Sequence, residues 1–374
     1  MLIKRELQNQ GFCNSLLIYR DVDAMKISRI FHRVFVTSML ILAGAALLYT
    51  AAAQSGEDAG VARFSVSTNL VKVPVSVFDE RGLISENLRK EDFRLWENQA
   101  QQEIRDLSVD RNSISALLVL DTSPSSKSEF SKMKSAVETF AGKLGKNDRI
   151  SIITFDEDVK LILDWTSDTK RVKKALSGVK AGLRTALYDA MYLAASEQMR
   201  GVEGPGAIIL LTDCLNNHSR IGFEDASRAV AKSQASFYLI SKTSIVREQA
   251  RQGRRVMIVE DIYKNMFGEE WNYVDEYFDK REKEMAELAA MTGGRVFFPA
   301  DYNSITNVYA EIARELKNKY YLTYVSNQDL DHDSWHGITV EYLRPASEIV
   351  YRKGYYYLPE ISRRAFGPAF AASR

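Results

Sequence analysis

The chain has 374 residues, 45% hydrophobic and 26% charged, a globular balance that excludes wholesale disorder and a fibrous repeat. Lysine and arginine number 50 against 49 aspartate and glutamate, so no polyelectrolyte surface makes nucleic acid the default partner. Two cysteines, Cys13 and Cys214, are too few for a disulfide scaffold or a cysteine-rich zinc site, and the four histidines (His32, His218, His332, His336) form no HExxH pattern.

Residues 1–53 read as a leader. Residues 1–24 look like an upstream extension, with Met25 as an alternative start. From Met25, the basic Lys26, Arg29 and Arg33 precede an uncharged run from Val34 to Ala53, and Ala51-Ala52-Ala53 before Gln54 is a small-residue cleavage pattern. This layout predicts a signal peptide over 25–53. The alternative is an uncleaved membrane anchor, since about 20 apolar residues span a bilayer. The expected location is periplasmic, cell-envelope or secreted, with membrane attachment only if the leader is kept. Without residues 1–53 the chain loses six basic and three acidic residues, carries a net charge of −2 and keeps Cys214 as a lone thiol. An exported protein of that kind depends on its core rather than on disulfides.

After a polar linker at 54–62, Val71, Val73, Val75 and Val77 alternate with polar residues and Pro74, which predicts a half-buried strand at a sheet edge. Phe93, Leu95, Ile104 and Leu107 continue as short strands, so 63–110 is a β segment too small to bury a core alone. From 111 the pattern changes. Ser115–Leu120 is a continuous apolar run, as in a strand buried on both faces. Phe130, Met133, Val137, Phe140 and Leu144 follow helical spacing. Next come a strand at Arg149–Phe155, helices near 168–179 and from Thr185 to Met199, and a buried strand at Ala207–Leu211. A helix near 222–234, a strand at Ala235–Ile240, a helix at Asp275–Met291 and a strand at Arg295–Phe298 follow. A last helix presents Ile305, Tyr309, Ile312 and Leu316. Strands alternating with helices predict an α/β fold with a doubly wound, mostly parallel sheet. After 318 the period returns to 2, with strands at Tyr321–Val325, Gly337–Leu343 and Glu348–Tyr357. Pairing of 63–110 with 319–358 would make one small β-sandwich-like module with the α/β domain of 111–318 inserted in it, followed by a disordered tail at 359–374.

The chemistry concentrates at strand ends. The first buried strand ends in Asp121-Thr122-Ser123-Pro124-Ser125, a D-x-S-x-S; a later one ends in Thr212-Asp213; between them Gly182-Leu183-Arg184-Thr185 opens a helix. In open α/β sheets, ligands bind outside the carboxyl ends of the strands. Two carboxylates and three hydroxyls form an all-oxygen set suited to a hard cation, Mg2+ first among them.

These residues resemble the metal-ion-dependent adhesion site of von Willebrand factor type A domains. The flanking VPVSVFDERG, EDFRLWENQAQQEI, AAMTGGRVFF and YYLTY stretches are similar to exported type-A-related proteins of the acidobacterial type, over roughly residues 64–358. The resemblance implies a Rossmann-like domain. In it Ser123, Ser125 and Thr185 offer hydroxyl oxygens to Mg2+, with Mn2+ or Ca2+ as alternatives, and Asp121 and Asp213 hold it directly or through water. It implies a protein partner that supplies an Asp or Glu carboxylate, and binding rather than catalysis. Two departures stand out: Cys214 where the family usually has glycine, which matters if that backbone needs positive φ, and Arg184 where a small residue is common. The alternatives are a hydrolase using the same metal and a scaffold with a vestigial site.

The connection 242–275 is longer than most and should lie on the metal face. Its Phe267, Glu269, Glu270 and Trp271 would shape the partner surface, with a glutamate as an internal metal ligand or a self-packed lid as other readings. Arg184 is a further candidate partner contact. Asp329, Asp331 and Asp333 imitate the start of a calcium loop, but Ser334 stands at the glycine position and no glutamate closes it. His218, His332 and His336 read as polar surface residues, and Cys214 as a small filler.

Overall fold

The computed structural model describes residues 69–109, 113–123, 130–251, 272–328 and 334–357. The leader, the linker, Ser125, the tail and the segment holding Phe267, Glu269, Glu270 and Trp271 lie outside the described residues, as do the aspartates of 329–333. The chain opens with strands β1 (Leu70–Phe78), β2 (Phe93–Glu97), β3 (Ala100–Gln102), β4 (Ile104–Val109) and β5 (Ser115–Asp121), followed by helix α1 (Phe130–Lys143). Strands β6 (Arg149–Phe155) and β7 (Val159–Thr166) and helices α2 (Thr169–Ser177) and α3 (Leu187–Leu193) come next, α3 running on into a widened π turn at Ala194–Gln198. Then come β8 (Gly206–Thr212), α4 (Phe223–Lys232), β9 (Ser236–Ser241), α5 (Thr243–Arg251) and α6 (Asn272–Thr292). The last elements are β10 (Val296–Phe297), α7 (Ile305–Lys317), β11 (Tyr320–Val325), β12 (Trp335–Tyr342), β13 (Glu348–Tyr351) and β14 (Gly354–Tyr356).

The fold is α/β, with a central six-stranded sheet in the order β10-β9-β8-β5-β6-β7, parallel except for β7. The two central strands explain the apolar runs in the sequence. Every residue of β5 is buried, and so is all of β8 except Gly206, because helices cover both faces of the sheet. On one face Met133, Val137 and Phe140 of α1, Val172 and Leu176 of α2, and Tyr309 and Ile312 of α7 pack over Leu118, Leu120 and Ile209. On the other, Leu187 and Met191 of α3, Val230 of α4, and Met285 and Leu288 of α6 pack over Leu117, Val119 and Leu210. Asp168 caps α2, its carboxylate accepting from the Lys170 N–H at 2.8 Å.

β7 is absent from the sequence reading. Val159, Leu161 and Trp165 pack on one side of the sheet and Leu163 on the other, and the pairing with β6 shifts register near Ile152. That shift breaks the period-2 signal on which strand reading depends. The 242–275 connection also contains more regular structure than expected, since α5 starts directly after β9 and α6 starts at Asn272.

The remaining strands form two four-stranded antiparallel sheets, β13-β1-β11-β4 and β14-β12-β2-β3. Val73, Val75 and Val77, with Leu322 and Tyr324 of the neighbouring β11, pack with Leu95, Ile338 and Val340 of the other sheet in their common core. The run 348–357 divides, β13 joining β1 and β14 joining β12. β1 lies inside its sheet, correcting the edge position read from Pro74. β13 pairs with β1 only from Val75 onward, so Pro74 has a paired strand on one side alone. His336 also departs from the sequence reading. It is buried on β12, its Nδ1 3.0 Å from Glu97 Oε1 and its Nε2 2.9 Å from Ser334 Oγ. Glu97, itself buried, accepts hydrogen bonds from Ser326 Oγ (2.6 Å) and Tyr355 Oη (2.7 Å). Such a group stays inside because its oxygens are satisfied.

A second buried polar cluster joins the sheets. Lys319 Nζ lies 3.1 Å from Glu315 Oε1 and donates to Tyr238 Oη and Gly293 O, each at 2.7 Å. Tyr238 Oη donates to Glu315 at 2.8 Å, and Arg295 and Ser76 stand 3.6 and 3.5 Å from the same carboxylate. Burial lowers the Lys319 pKa in spite of Glu315.

Candidate metal centre

β5 and β8 are neighbours in parallel register, Leu120 opposite Leu211, so Asp121 and Thr212 reach the carboxyl edge of the sheet together. Asp121 is fully buried, and both its oxygens are engaged. Oδ1 accepts from the Ser123 N–H at 2.8 Å and Oδ2 from Thr212 Oγ1 at 2.9 Å. Asp213, 1% exposed, accepts from the Leu215 N–H at 3.1 Å. A desolvated carboxylate survives on such contacts.

Thr185 arrives from a different part of the chain. The Gly182 N–H donates to Thr122 O at 3.0 Å, which ties the turn to the β5 tip. The N–H groups of Asn217 and His218 donate to Thr185 O at 3.1 and 3.0 Å, and the Thr185 N–H donates to Asn217 Oδ1 at 2.9 Å. The turn is therefore held between the loops following β5 and β8, with Thr185 buried. Gly182 makes this approach possible, because a Cβ there would stand 2.3 Å from Asp156 Cβ and 2.5 Å from Glu157 Oε2. Glu157 clasps the turn from the connection between β6 and β7, accepting from the Leu183 and Arg184 N–H groups at 2.6 and 3.2 Å. Those N–H groups, Leu183's foremost, hold its carboxyl below the usual range.

The structure thus gathers Asp121, Ser123, Thr185 and Asp213 at one edge, all buried, while Ser125 lies outside the described residues. Arg184 stands exposed beside them, its Nη1 3.2 Å from Nδ1 of the exposed His218. Leu183, unremarked in the sequence, is 79% exposed on the same turn. Cys214 has φ of 63°, so this position does take left-handed backbone. It is buried, and burial pushes its thiol well up, out of nucleophilic range.

Sequence reasoning also missed Lys242. It follows β9 directly, as Asp213 follows β8, and its N–H donates to Thr212 O at 2.8 Å. Its side chain is buried, with Nζ 3.7 Å from Asp121 Oδ2. Burial alone would lower its pKa; Asp121 and then Asp213 outweigh that and raise it, so the ammonium is charged. Reading all strand tips, and not only those with oxygen ligands, would have found it. In chemical type the donors fit a hard divalent ion: carboxylate and hydroxyl oxygens, with no sulfur or imidazole contact among the described contacts of Asp121.

A family model described as von Willebrand factor type A domain matches residues 116–216, a span containing Asp121, Ser123, Ser125, Thr185 and Asp213. No curated protein matches the chain. Among solved structures, the conserved hypothetical protein BatB from Bacteroides thetaiotaomicron is similar at 18% identity, covering 55% of this chain and 100% of that one, with a TM-score of 0.39. Proximal thread matrix protein 1 from the mussel byssus, with a zinc-occupied MIDAS motif, is similar at 16% identity and a TM-score of 0.43. There the match covers 60% of this chain and 50% of the mussel protein, so the chain spans half of that structure's length. The vWF domain of the type V pili tip protein Mfa5 from Porphyromonas gingivalis is similar at 18% identity, covering 30% and 43% of the two chains, with a TM-score of 0.27. The matched residues 116–216, and the mostly parallel sheet that carries them, support a von Willebrand factor type A-type domain in the α/β part of this chain.

Proposed function

We propose that this protein is an exported binding module that captures a protein partner at the carboxyl edge of its parallel sheet. Asp121, Ser123, Thr185 and Asp213, together with Ser125, would hold a divalent cation, Mg2+ in the first place and Mn2+ or Ca2+ as alternatives. When bound, that cation supplies a Lewis-acidic position for an Asp or Glu carboxylate of the partner. The observation that carries this reading is the pair of buried carboxylates at neighbouring strand tips, with two hydroxyl-bearing residues brought to the same edge.

The surroundings suit binding. Leu183 offers exposed apolar surface beside Thr185, and Arg184 offers a guanidinium that favours an acidic partner. Binding is a better reading than turnover, because the thiol nearest the site is buried and held protonated, and His218 is exposed and turned to Arg184. The leader read in 25–53 would deliver the module outside the cytoplasm.

The test is capture from envelope extract by the wild type and by Asp121→Ala, with and without EDTA. The reading requires partners that are retained only by wild type without chelator, and lost when carboxylates in the extract are blocked with carbodiimide and an amine. Retention of the same partners in all samples contradicts it.

A further inference from the structure

Lys242 places a positive charge inside the candidate metal centre. Two things fix it there. Its backbone is pinned to the end of β8 by the N–H bond to Thr212 O (2.8 Å), and α5 begins at the next residue, the Val246 N–H donating to Lys242 O at 3.0 Å. The stem then runs under cover to bring Nζ within 3.7 Å of Asp121 Oδ2, with 3% of the lysine side chain and none of the aspartate side chain exposed. A surface lysine would keep its ammonium in water. This one is led by its backbone to the strand-tip carboxylates, and Asp121 Oδ2 is shared between it and Thr212 Oγ1.

The consequence is electrostatic. Asp121 and Asp213 alone would present two negative charges to an incoming ion. With Lys242 in place they present one, and the ion meets a like charge at close range in a poorly screened site. We propose that Lys242 is a tethered internal cation that competes with a divalent metal for the acidic edge and sets the metal affinity of the site, so that a divalent ion binds only by displacing its ammonium from Asp121. The proposal rests on the metal-holding reading of Asp121 and Asp213. It makes this site weaker for divalent ions than its oxygen donors alone would give, and it makes Lys242 the residue that decides at what metal concentration the site fills.

The test is binding of Mn2+ alone to the full-length protein, followed by the electron paramagnetic resonance signal of free Mn2+ at fixed ionic strength. Wild type, Lys242→Met, Lys242→Gln and Asp121→Ala are compared, with circular dichroism to establish folding. Methionine keeps nearly the volume of the lysine stem and removes the charge, so a gain reports charge rather than space. Lys242→Gln serves the same purpose if Lys242→Met does not fold. The expected result is Mn2+ affinity about tenfold or more above wild type in the neutral variants, and loss of that gain when Asp121→Ala is added. Equal affinities in wild type and the neutral variants, abolished by Asp121→Ala, overturn the lysine proposal and leave the metal reading standing. Binding by the neutral variants alone supports the lysine proposal and removes metal-dependent capture by the natural chain. No binding by any of them removes both.

Discussion

Breaking the Asp121–Lys242 pair should be costly in a way that a double-mutant cycle can isolate. The two charged groups are buried and 3.7 Å apart. At an effective dielectric of about 20 their attraction is about 4–5 kcal/mol. Removing one partner of a buried pair typically costs about 3–5 kcal/mol, because the other charge is left uncompensated. Asp121→Asn keeps an oxygen able to accept from Thr212 Oγ1 and removes the largest of the charges that stabilise the ammonium, Asp213 remaining as the next. Lys242→Met leaves the buried Asp121 and Asp213 carboxylates without the cation that both act on. Each single variant should therefore lose about 3 kcal/mol, with Asp213 softening the first loss. The double variant should lose much less than the sum, with a coupling of about 2–3 kcal/mol. The assay is reversible urea unfolding in EDTA, followed by tryptophan fluorescence. Two single variants within about 0.5 kcal/mol of wild type, or strictly additive losses, would refute the electrostatic reasoning.

Glu315→Ala should cost about 3–5 kcal/mol, since it strands buried Lys319 and removes the carboxylate that Tyr238 and Arg295 share; an unchanged urea midpoint would contradict this. Cys214 should resist iodoacetamide in the native protein and react fully once unfolded, because it is buried and its thiol is held protonated; prompt native labelling, read by mass spectrometry, would go against this. Burial raises the phenol pKa of Tyr238, Tyr309 and Tyr324 in the folded protein above the ordinary 10.0. The stability they contribute is therefore whole below that value and is lost as pH rises above it. Ultraviolet titration should show these phenols ionising only with unfolding, and smooth titration of every tyrosine near pH 10 would contradict it. Leu183→Asp should lower partner capture about tenfold with no change in urea midpoint, because the side chain is 79% exposed and packs no core; an undiminished capture would remove Leu183 from the contact surface.

The legible parts of the fold were those where one physical signal dominated. Buried parallel strands such as Ser115–Asp121 and Gly206–Thr212 announce themselves because helices cover both their faces. The Phe130–Lys143 and Ile305–Lys317 helices show a single apolar stripe, and both were readable to within a few residues. Where two constraints acted on the same residues, reading failed. In Val159–Thr166 a register shift moves apolar residues between faces, so neither period holds. Pro74 marks an edge only locally, because its second neighbour strand starts one residue later. His336 reads as a surface residue in the sequence because its partners, Glu97 and Tyr355, lie 239 and 19 residues away and meet it only through sheet pairing. At the metal centre the oxygen-bearing residues could be read from their types and from the strand-tip rule. Lys242 could not be found by looking for ligands, since a lysine is the opposite of one; only its place at a third strand tip gives it away.

The central claim is that oxygen atoms from the β5 tip, the 182–185 turn and the β8 tip converge on one divalent ion. Its most direct test is a crystal structure of the wild type at saturating Mn2+, using the anomalous signal of manganese. The account predicts one strong peak bounded by Asp121, Ser123, Ser125, Thr185 and Asp213, with Lys242 Nζ withdrawn from Asp121. A map with no peak there, and with Lys242 still on Asp121 at saturating metal, would contradict it.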